Sequence, residues 1–329
     1  MRRCSILVLL VVLVGGLAAT GWAADYTMTI GHSQPETSAR HRAFLFFEEI
    51  VEQASEGRID VEVFPSGQLG TEAEVMEAVG IGVVQATEGG KFEDANRAYL
   101  IYTLPFLFAS PEQALAVMRS EVGEEINRGA EANGYYVPAC GIAGGFRQWT
   151  NNVRPITCPA DMVGLKMRTP GIDTIMRTFD ALEAARQSIP YVEVYMALKQ
   201  GVADGQENPY SNIVQMKFYE VQTYLTVSDY QVHPNPFFIS LTWYQSLPAE
   251  LQDIITHAAR LAMIFNDTIW LAEEMDAYDI CAANLEVNVL TESARAAFAT
   301  KVQPVWDYYV NEGFFTQTLL DSILAYIAG

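Results

Sequence analysis

The sequence predicts an α/β protein of two lobes with one long helix running across them. Strand-period and helix-period segments alternate through the first two thirds of the chain. The 329 residues, half of them hydrophobic, exceed what a single core usually serves. After Pro248 an apolar stripe at helical spacing continues without Gly or Pro as far as Leu290.

The first strand is expected at Tyr26, Met28 and Ile30, which share one face, and it stops at Gly31-His32-Ser33. Phe44, Phe47, Ile50, Val51 and Ala54 fall at helical spacing, and Gly57 supplies the stop. Ile59, Val61 and Val63 make a second strand ended by Pro65. Thr71-Glu72-Ala73-Glu74 reads as a capping box opening a short helix through Val75, Met76 and Val79. A third strand is expected from Val83 to Thr87, with Glu88 just past its end. Strands alternating with helices imply a parallel sheet.

The alternation repeats further along. Tyr136–Ala143 reads as a strand leading through Gly144-Gly145 to Arg147, and Gly164–Met167 as a strand leading into Arg168-Thr169-Pro170. Val194, Ala197 and Leu198 mark a helix stopped by Gly201, after which Asp204-Gly205-Gln206-Glu207-Asn208-Pro209 reads as a polar turn. A helix from Ala249 to Ala283 follows, roughly 50 Å long at 1.5 Å per residue. Ligands of open α/β sheets bind beyond the carboxyl ends of strands, where Glu88, Arg147 and Arg168 are expected.

Arg2 and Arg3, an apolar run from Ile6 to Leu17 and the small residues of Gly21-Trp22-Ala23 have the order of a secretory signal peptide. The run is short of the about 20 apolar residues that a span needs. Residues 1–23 are therefore expected to be removed, leaving 306; a retained amino-terminal anchor is the alternative. Cleavage changes the formal charge from −20 to −22, which makes nucleic acid an unsuitable partner. It also means that an anionic ligand needs a local, partly buried cation. Cys140, Cys158 and Cys281 remain; one Cys140–Cys158 disulfide and buried free thiols are both open readings.

Catalytic machinery is sparse. His32, His41, His233 and His257 are the four histidines, none in a metal-binding spacing, and no nucleophile elbow or phosphate-cradling loop occurs. No cofactor or metal ion is expected, and binding fits better than catalysis. Arg168 leads the candidates because a guanidinium matches a carboxylate's two oxygens, although buried arginines are usually paired in a structural salt bridge within the protein. Asn208 and Arg147 carry the same ambiguity. Phe146, Trp149, Tyr191, Phe237 and Phe238 near the expected loops would suit an aromatic or apolar acid, or else belong to the core.

The run from Glu193 to Pro209, Glu-Val-Tyr-Met-Ala-Leu-Lys-Gln-Gly-Val-Ala-Asp-Gly-Gln-Glu-Asn-Pro, is followed by Lys217-Phe218-Tyr219-Glu220-Val221-Gln222. Together with Gln68-Leu69-Gly70, Leu104-Pro105-Phe106-Leu107-Phe108 and Gly164-Leu165-Lys166-Met167-Arg168-Thr169-Pro170, it closely resembles the solute-binding proteins of tripartite ATP-independent periplasmic transporters, the DctP family. The resemblance runs over nearly the whole mature chain. It implies a periplasmic protein with the two-lobed periplasmic binding protein fold, a long helix spanning both lobes, and no reaction of its own. The implied division is lobe I over residues 24–145 with a returning segment near 235–250, lobe II over 146–234, the long helix over 249–283, and a C-terminal segment over 284–329 packing on the lobes.

By the same resemblance Arg168 pairs with the carboxylate of a small organic acid, and Asn208 and Arg147 reach the same region. Glu88 meets ligand hydroxyl or amine groups, and Ser33, Glu72 and Tyr191 line the pocket; Phe237 is added as a wall residue on its aromatic character near the expected loops. The ligand classes implied are aromatic or other monocarboxylic acids, sugar acids and dicarboxylates. The partners implied are the transporter's membrane subunits, and a monomer is expected. Where many members read Gly-Ala-x-Pro this chain has Glu183-Ala184-Ala185-Arg186, which is expected to reshape part of the pocket. Presentation of ligand to a sensor kinase and a secreted α/β hydrolase are the rival readings; the second needs a serine, a histidine and an acid converging in the cleft. If the signal-peptide reading holds, amino-terminal sequencing of the exported protein finds a start at Ala24 or within a residue or two, and an intact Met1 on a membrane-bound form overturns it.

Overall fold

The computed structural model describes residues 24–328, so the expected signal peptide lies outside the described residues. The chain opens with β1 (Tyr26–Gly31), α1 (Ala39–Ala54), β2 (Ile59–Phe64), α2 (Glu72–Gly80), β3 (Ala86–Glu88) and the single turn α3 (Phe92–Ala95). The Ser38 side chain caps α1, and Phe44, Phe47 and Val51 are buried on one face. Past its end Gly57 takes a positive φ, as a helix stop requires. The Thr71–Glu74 capping box is present at α2. The third strand is shorter than expected and includes Glu88, because Val83 and Val84 instead turn back onto Ala78.

Next come α4 (Pro111–Met118), α5 (Glu121–Gly129), β4 (Tyr135–Tyr136) and β5 (Cys140–Phe146). The strand expected over 136–143 is thus broken at Val137–Ala139, where Pro138 has no N–H for a ladder. β6 (Gln148–Asn151), β7 (Met167–Thr169), α6 (Asp173–Ala181), β8 (Gln187–Ser188), α7 (Val194–Lys199), β9 (Gly205–Asn208), α8 (Tyr210–Gln215) and β10 (Tyr224–Val227) follow. Two expectations are corrected here. Gly205–Asn208, within the expected turn, is a fully buried central strand, since its polar side chains find partners inside the protein, and Arg168 lies within a strand rather than past its end. The chain closes with β11 (Val232–Ser240), α9 (Leu241–Ser246), α10 (Ala249–Asn284), β12 (Glu286–Val289), α11 (Glu292–Asn311) and α12 (Gln317–Ala328).

Two six-stranded sheets result. The first runs β2-β1-β3-β11-β4, with β5 also pairing β11, and the second runs β12-β10-β6-β9-β7-β8. Neither is wholly parallel as expected. β1 is parallel to β2 and β3, but β11 returns antiparallel to β3, β4 and β5, and β6 lies antiparallel to β9 and β10. A strand that comes back from the other sheet need not follow the direction set by strand–helix–strand units.

α10 has 36 residues and is about 54 Å long at 1.5 Å per residue. Leu251, Ile255, Ala258 and Ala262 pack into the core around β1 and α1, whereas Cys281 joins Val194, Leu198, Ile213 and Leu225 beneath the second sheet. Midway, Asp267 Oδ1 accepts from the Ile142 amide of β5 at 3.1 Å. Two turns on, Glu274 accepts from the Tyr210 and Ser211 amides at the start of α8 at 3.0 and 3.3 Å, and the Trp270 indole donates to Ser211 Oγ at 3.0 Å. The helix therefore grips both sheets through named side chains. α11 packs on α6, where the Tyr309 hydroxyl donates to Asp173 at 2.6 Å, and α12 returns to α4, where Gln113 donates to the Ile327 carbonyl at 3.0 Å. Cys140, Cys158 and Cys281 are all free; Cys158 is exposed, so only two of the three are buried thiols.

Burial pushes the Glu274 carboxyl up from 4.5 to about 7. Its protonated form is favoured on folding, so this contribution is full below pH 4.5 and is lost as pH rises through 7. Glu274→Gln removes the titration. Thermal unfolding of wild type and variant should therefore show wild type losing ground between pH 4.5 and pH 7 and levelling off above pH 7; an offset independent of pH would exclude Glu274 as a group titrating there.

Candidate functional site

Arg168 is the middle residue of β7, and its backbone is fixed on both sides, opposite Gln187 of β8 and Gln206 of β9. The residue is only 2 % exposed. Its Nε donates to the Ile189 carbonyl at 2.9 Å, and no carboxylate among the described residues lies within 4.0 Å of its guanidinium. Burial lowers its pKa to about 10, with the neighbouring Arg147 charge adding to that and Glu207 opposing it. A buried charge without a partner costs several kcal/mol.

The guanidinium borders a cavity of about 160 Å³ between the two sheets. From the first sheet's side come Ser33 after β1, Glu72 at the start of α2 and Lys91 after β3; from the second come Arg168, Ser188 of β8 and Tyr191. Ser33 Oγ donates to Glu72 Oε1 at 2.6 Å, leaving the other Glu72 oxygen uncommitted to Ser33. The Tyr191 hydroxyl is buried near the Gln34 amide, yet neither the hydroxyl nor Gln34 Oε1 has a partner with hydrogen-bond geometry. Four expected residues, Ser33, Glu72, Arg168 and Tyr191, thus meet at one cavity.

Arg147 and Asn208 are close by but otherwise engaged. Arg147, between β5 and β6, is buried in a two-pronged pair with Glu207: Nε meets Oε2, and Nη2 meets Oε1 at 2.8 Å. Nη2 also donates to the Glu207 carbonyl at 2.8 Å and to Asn208 Oδ1 at 3.0 Å, while Nη1 meets His233 Nδ1 at 3.2 Å. Burial disfavours the Arg147 charge, but the charge and hydrogen bonds of Glu207 together outweigh it and raise its pKa. Asn208 spends its amide on Arg147, on Asn212 at 3.0 Å and on Gln206 at 2.5 Å. Both residues stand behind the cavity wall and do not line it.

Glu88 and Phe237 depart further from expectation. Glu88 ends β3 buried, with Oε2 accepting from Asn235 at 2.6 Å and facing Arg40 Nε at 3.5 Å, while Oε1 has no partner. Burial pushes this carboxyl up to about 7 against the pull of Arg40. Phe237 is not a pocket residue: it sits in the first sheet's core, its ring 5.4 Å from Phe44 and 4.9 Å from Phe47. Trp149 and Phe238 are core residues too, which leaves Tyr191 as the aromatic side chain of the cavity. None of Glu183, Ala184, Ala185 and Arg186 lines this cavity; Glu183 pairs with Lys301 and Arg186 with Asp180.

Lys91, Ser188, Arg40 and His233 escaped the sequence reading. Lys91 and Ser188 lie in loops or strand ends without periodicity, and Arg40 looks like an ordinary first-turn helix residue until α1 brings it to Glu88. His233 is held neutral, its pKa driven far down by burial and by Arg147, Arg40 and Arg168. A hydrolase triad is not assembled among the described residues: Ser33 bonds Glu72, and His32 Nε2 meets His41 Nδ1 at 3.1 Å.

A family model described as bacterial extracellular solute-binding protein, family 7, matches residues 30–312. The C4-dicarboxylate-binding periplasmic protein DctP of Shewanella loihica is 30% identical over 319 residues, 94% of this chain and 92% of that protein. Among solved structures, a TRAP periplasmic solute-binding protein from Shewanella oneidensis with bound succinate superposes with a TM-score of 0.87 at 26% identity, over 92% of this chain and 99% of that one. One from Desulfovibrio salexigens with bound orotic acid gives 0.86 at 27% identity, with the same coverage of each chain. With two α/β lobes, a long helix gripping both and a cavity between them, the chain belongs to the DctP family of bacterial extracellular solute-binding proteins.

Proposed function

We propose that this chain captures a small organic carboxylate in the cavity between its sheets and holds it by Arg168. The observation that carries this reading is the buried guanidinium with no carboxylate partner facing a cavity of about 160 Å³. A carboxylate entering it would replace lost hydration with a two-pronged, charge-assisted pair. Ser188, Tyr191 and the Ser33–Glu72 pair offer donors and acceptors for hydroxyl or keto groups, and Lys91 for a second acceptor. With one aromatic wall residue, the cavity suits aliphatic and hydroxylated acids better than large aromatic ones. Bound succinate and orotic acid in the similar structures support that class.

Arg147, Asn208 and Glu88 act one layer back. Arg147 locks Glu207 and Asn208 in place, and its positive charge disfavours any second cation near Arg168. We infer that the mature chain begins near Ala24, works in the periplasm as a monomer and carries its ligand unchanged to membrane transport subunits. Residues 24–145 with the return near 235–250 form the first lobe and 146–234 the second, bridged by the helix assigned to 249–283. The segment 284–329 then packs against both. Closure of the two around the ligand completes the site.

Arg168→Ala tests the anchor. It should weaken binding of the natural acid by about 2–5 kcal/mol, the cost of truncating one side of a buried charge pair, or roughly thirtyfold to several thousandfold. Arg168→Lys should restore part, because an ammonium returns the charge without the fork. The ligand-free Arg168→Ala protein should unfold no earlier than wild type, since the charge it loses is buried and unpaired. Calorimetric titration with a panel of small mono- and dicarboxylates measures this; wild-type affinity in a folded Arg168→Ala variant would place the anchor elsewhere.

A further inference from the structure

The largest apolar-walled cavity beside α10 is not the one at Arg168. On the outer side of the first sheet, α5, the β4–β5 connection and α10 enclose a groove of about 400 Å³, within the size range of small-molecule sites. It shares no lining residue with the Arg168 cavity. Met118, Val137 and Met263 make a buried apolar floor, and Ile264, 51 % exposed, forms one apolar edge.

The polar part of the groove is cationic in a chain of net charge −20. Arg119, Arg128 and Arg260 stand around it, against one rim carboxylate, Glu124. Arg128 reaches Glu124 only at 3.9 Å, and Arg119 is held by Asp267 at 2.7 Å. Arg260 has no carboxylate within 4.0 Å among the described residues; its Nε donates to the Pro138 carbonyl at 3.2 Å, which aims the guanidinium along the groove wall. Asn127 adds a fixed donor. It is 7 % exposed, its Oδ1 accepts from the Tyr99 hydroxyl at 2.7 Å, and its NH2 group, on the groove, has no partner among the described residues.

We propose that this groove is a second binding site, for a small amphipathic anion whose chain lies on Met118, Val137 and Met263 and whose head meets Arg260 and Asn127. Covering the exposed Ile264 side chain takes apolar surface out of water, and the anionic head finds in Arg260 a cation that no carboxylate among the described residues neutralises. A neutral chain of the same length lacks that second term, and an amine would be repelled. The site takes a different class of molecule from the polar acid proposed for Arg168, and the two fill independently.

Octanoate is the probe, titrated calorimetrically into the signal-free protein and its variants. One octanoate should bind per chain, with the same affinity within about twofold in Arg168→Ala. Arg260→Glu and Ile264→Glu, both exposed, should each weaken it by about tenfold or more. 1-Octanol and octylamine should bind at least about tenfold more weakly than octanoate. The proposal is overturned by absence of saturable binding, by undiminished binding in folded Arg260→Glu, by equal affinity for 1-octanol, or by loss in Arg168→Ala, which would put octanoate in the cavity between the sheets.

Discussion

The Arg147–Glu207 pair sits where the chain passes between the sheets, and much of the architecture is anchored to it. Arg147 follows β5 of the first sheet and precedes β6 of the second, while Glu207 belongs to β9 at the centre of the second. The pair also collects the Tyr230 hydroxyl, at 2.7 Å from Glu207, and His233 at the start of β11, the strand that leads back to the first sheet. The crossing from β5 to β6 and the return from β10 to β11 are thus tied to one buried charge pair. Breaking such a pair by removing one partner typically costs about 3–5 kcal/mol, because the other charge is left desolvated.

That pair also explains why the two buried arginines differ. Arg147 meets both oxygens of Glu207 and has a raised pKa, whereas Arg168 has a backbone carbonyl on Nε and a lowered pKa. If Glu207 were shared between them, neither would be a strong receptor for an external anion. The protein instead satisfies one cation completely and leaves the other short of a partner. The neutral state of His233 fits the same economy of charge, since a third cation beside two arginines in a dry layer would be unfavourable.

The long helix extends the argument to mechanics. Its carboxylates Asp267 and Glu274 hold backbone amides of β5 and α8, about two turns apart, so the helix is fastened to each sheet through a few polar contacts among apolar packing. Between those fastenings β5 runs close to Pro209 and Trp270, and Gly144 is required there: it has a positive φ, and a methyl group would collide with Pro209.

The sequence by itself determined the periodic elements and the residue types of the site. Alternation placed β1 and β2, helical spacing with Thr and Gly signals placed α1 and α2, and the uninterrupted stripe after Pro248 placed α10 to within a residue. Arg168 stood out through guanidinium chemistry and the motif around it, whereas Ser33, Glu72 and Tyr191 came only from the resemblance and meet Arg168 at one cavity. What sequence could not decide was partnership. Gln206, Glu207 and Asn208 look like a solvated turn until their side chains are seen satisfied inside a sheet, and Phe237 looks like a pocket wall until Phe44 and Phe47 enclose it. Arg147 and Arg168 are alike in one dimension; only the position of Glu207 in space makes one structural and leaves the other free. Local order depends on neighbours in the chain, whereas the fate of a charge depends on which opposite charge the fold brings within reach.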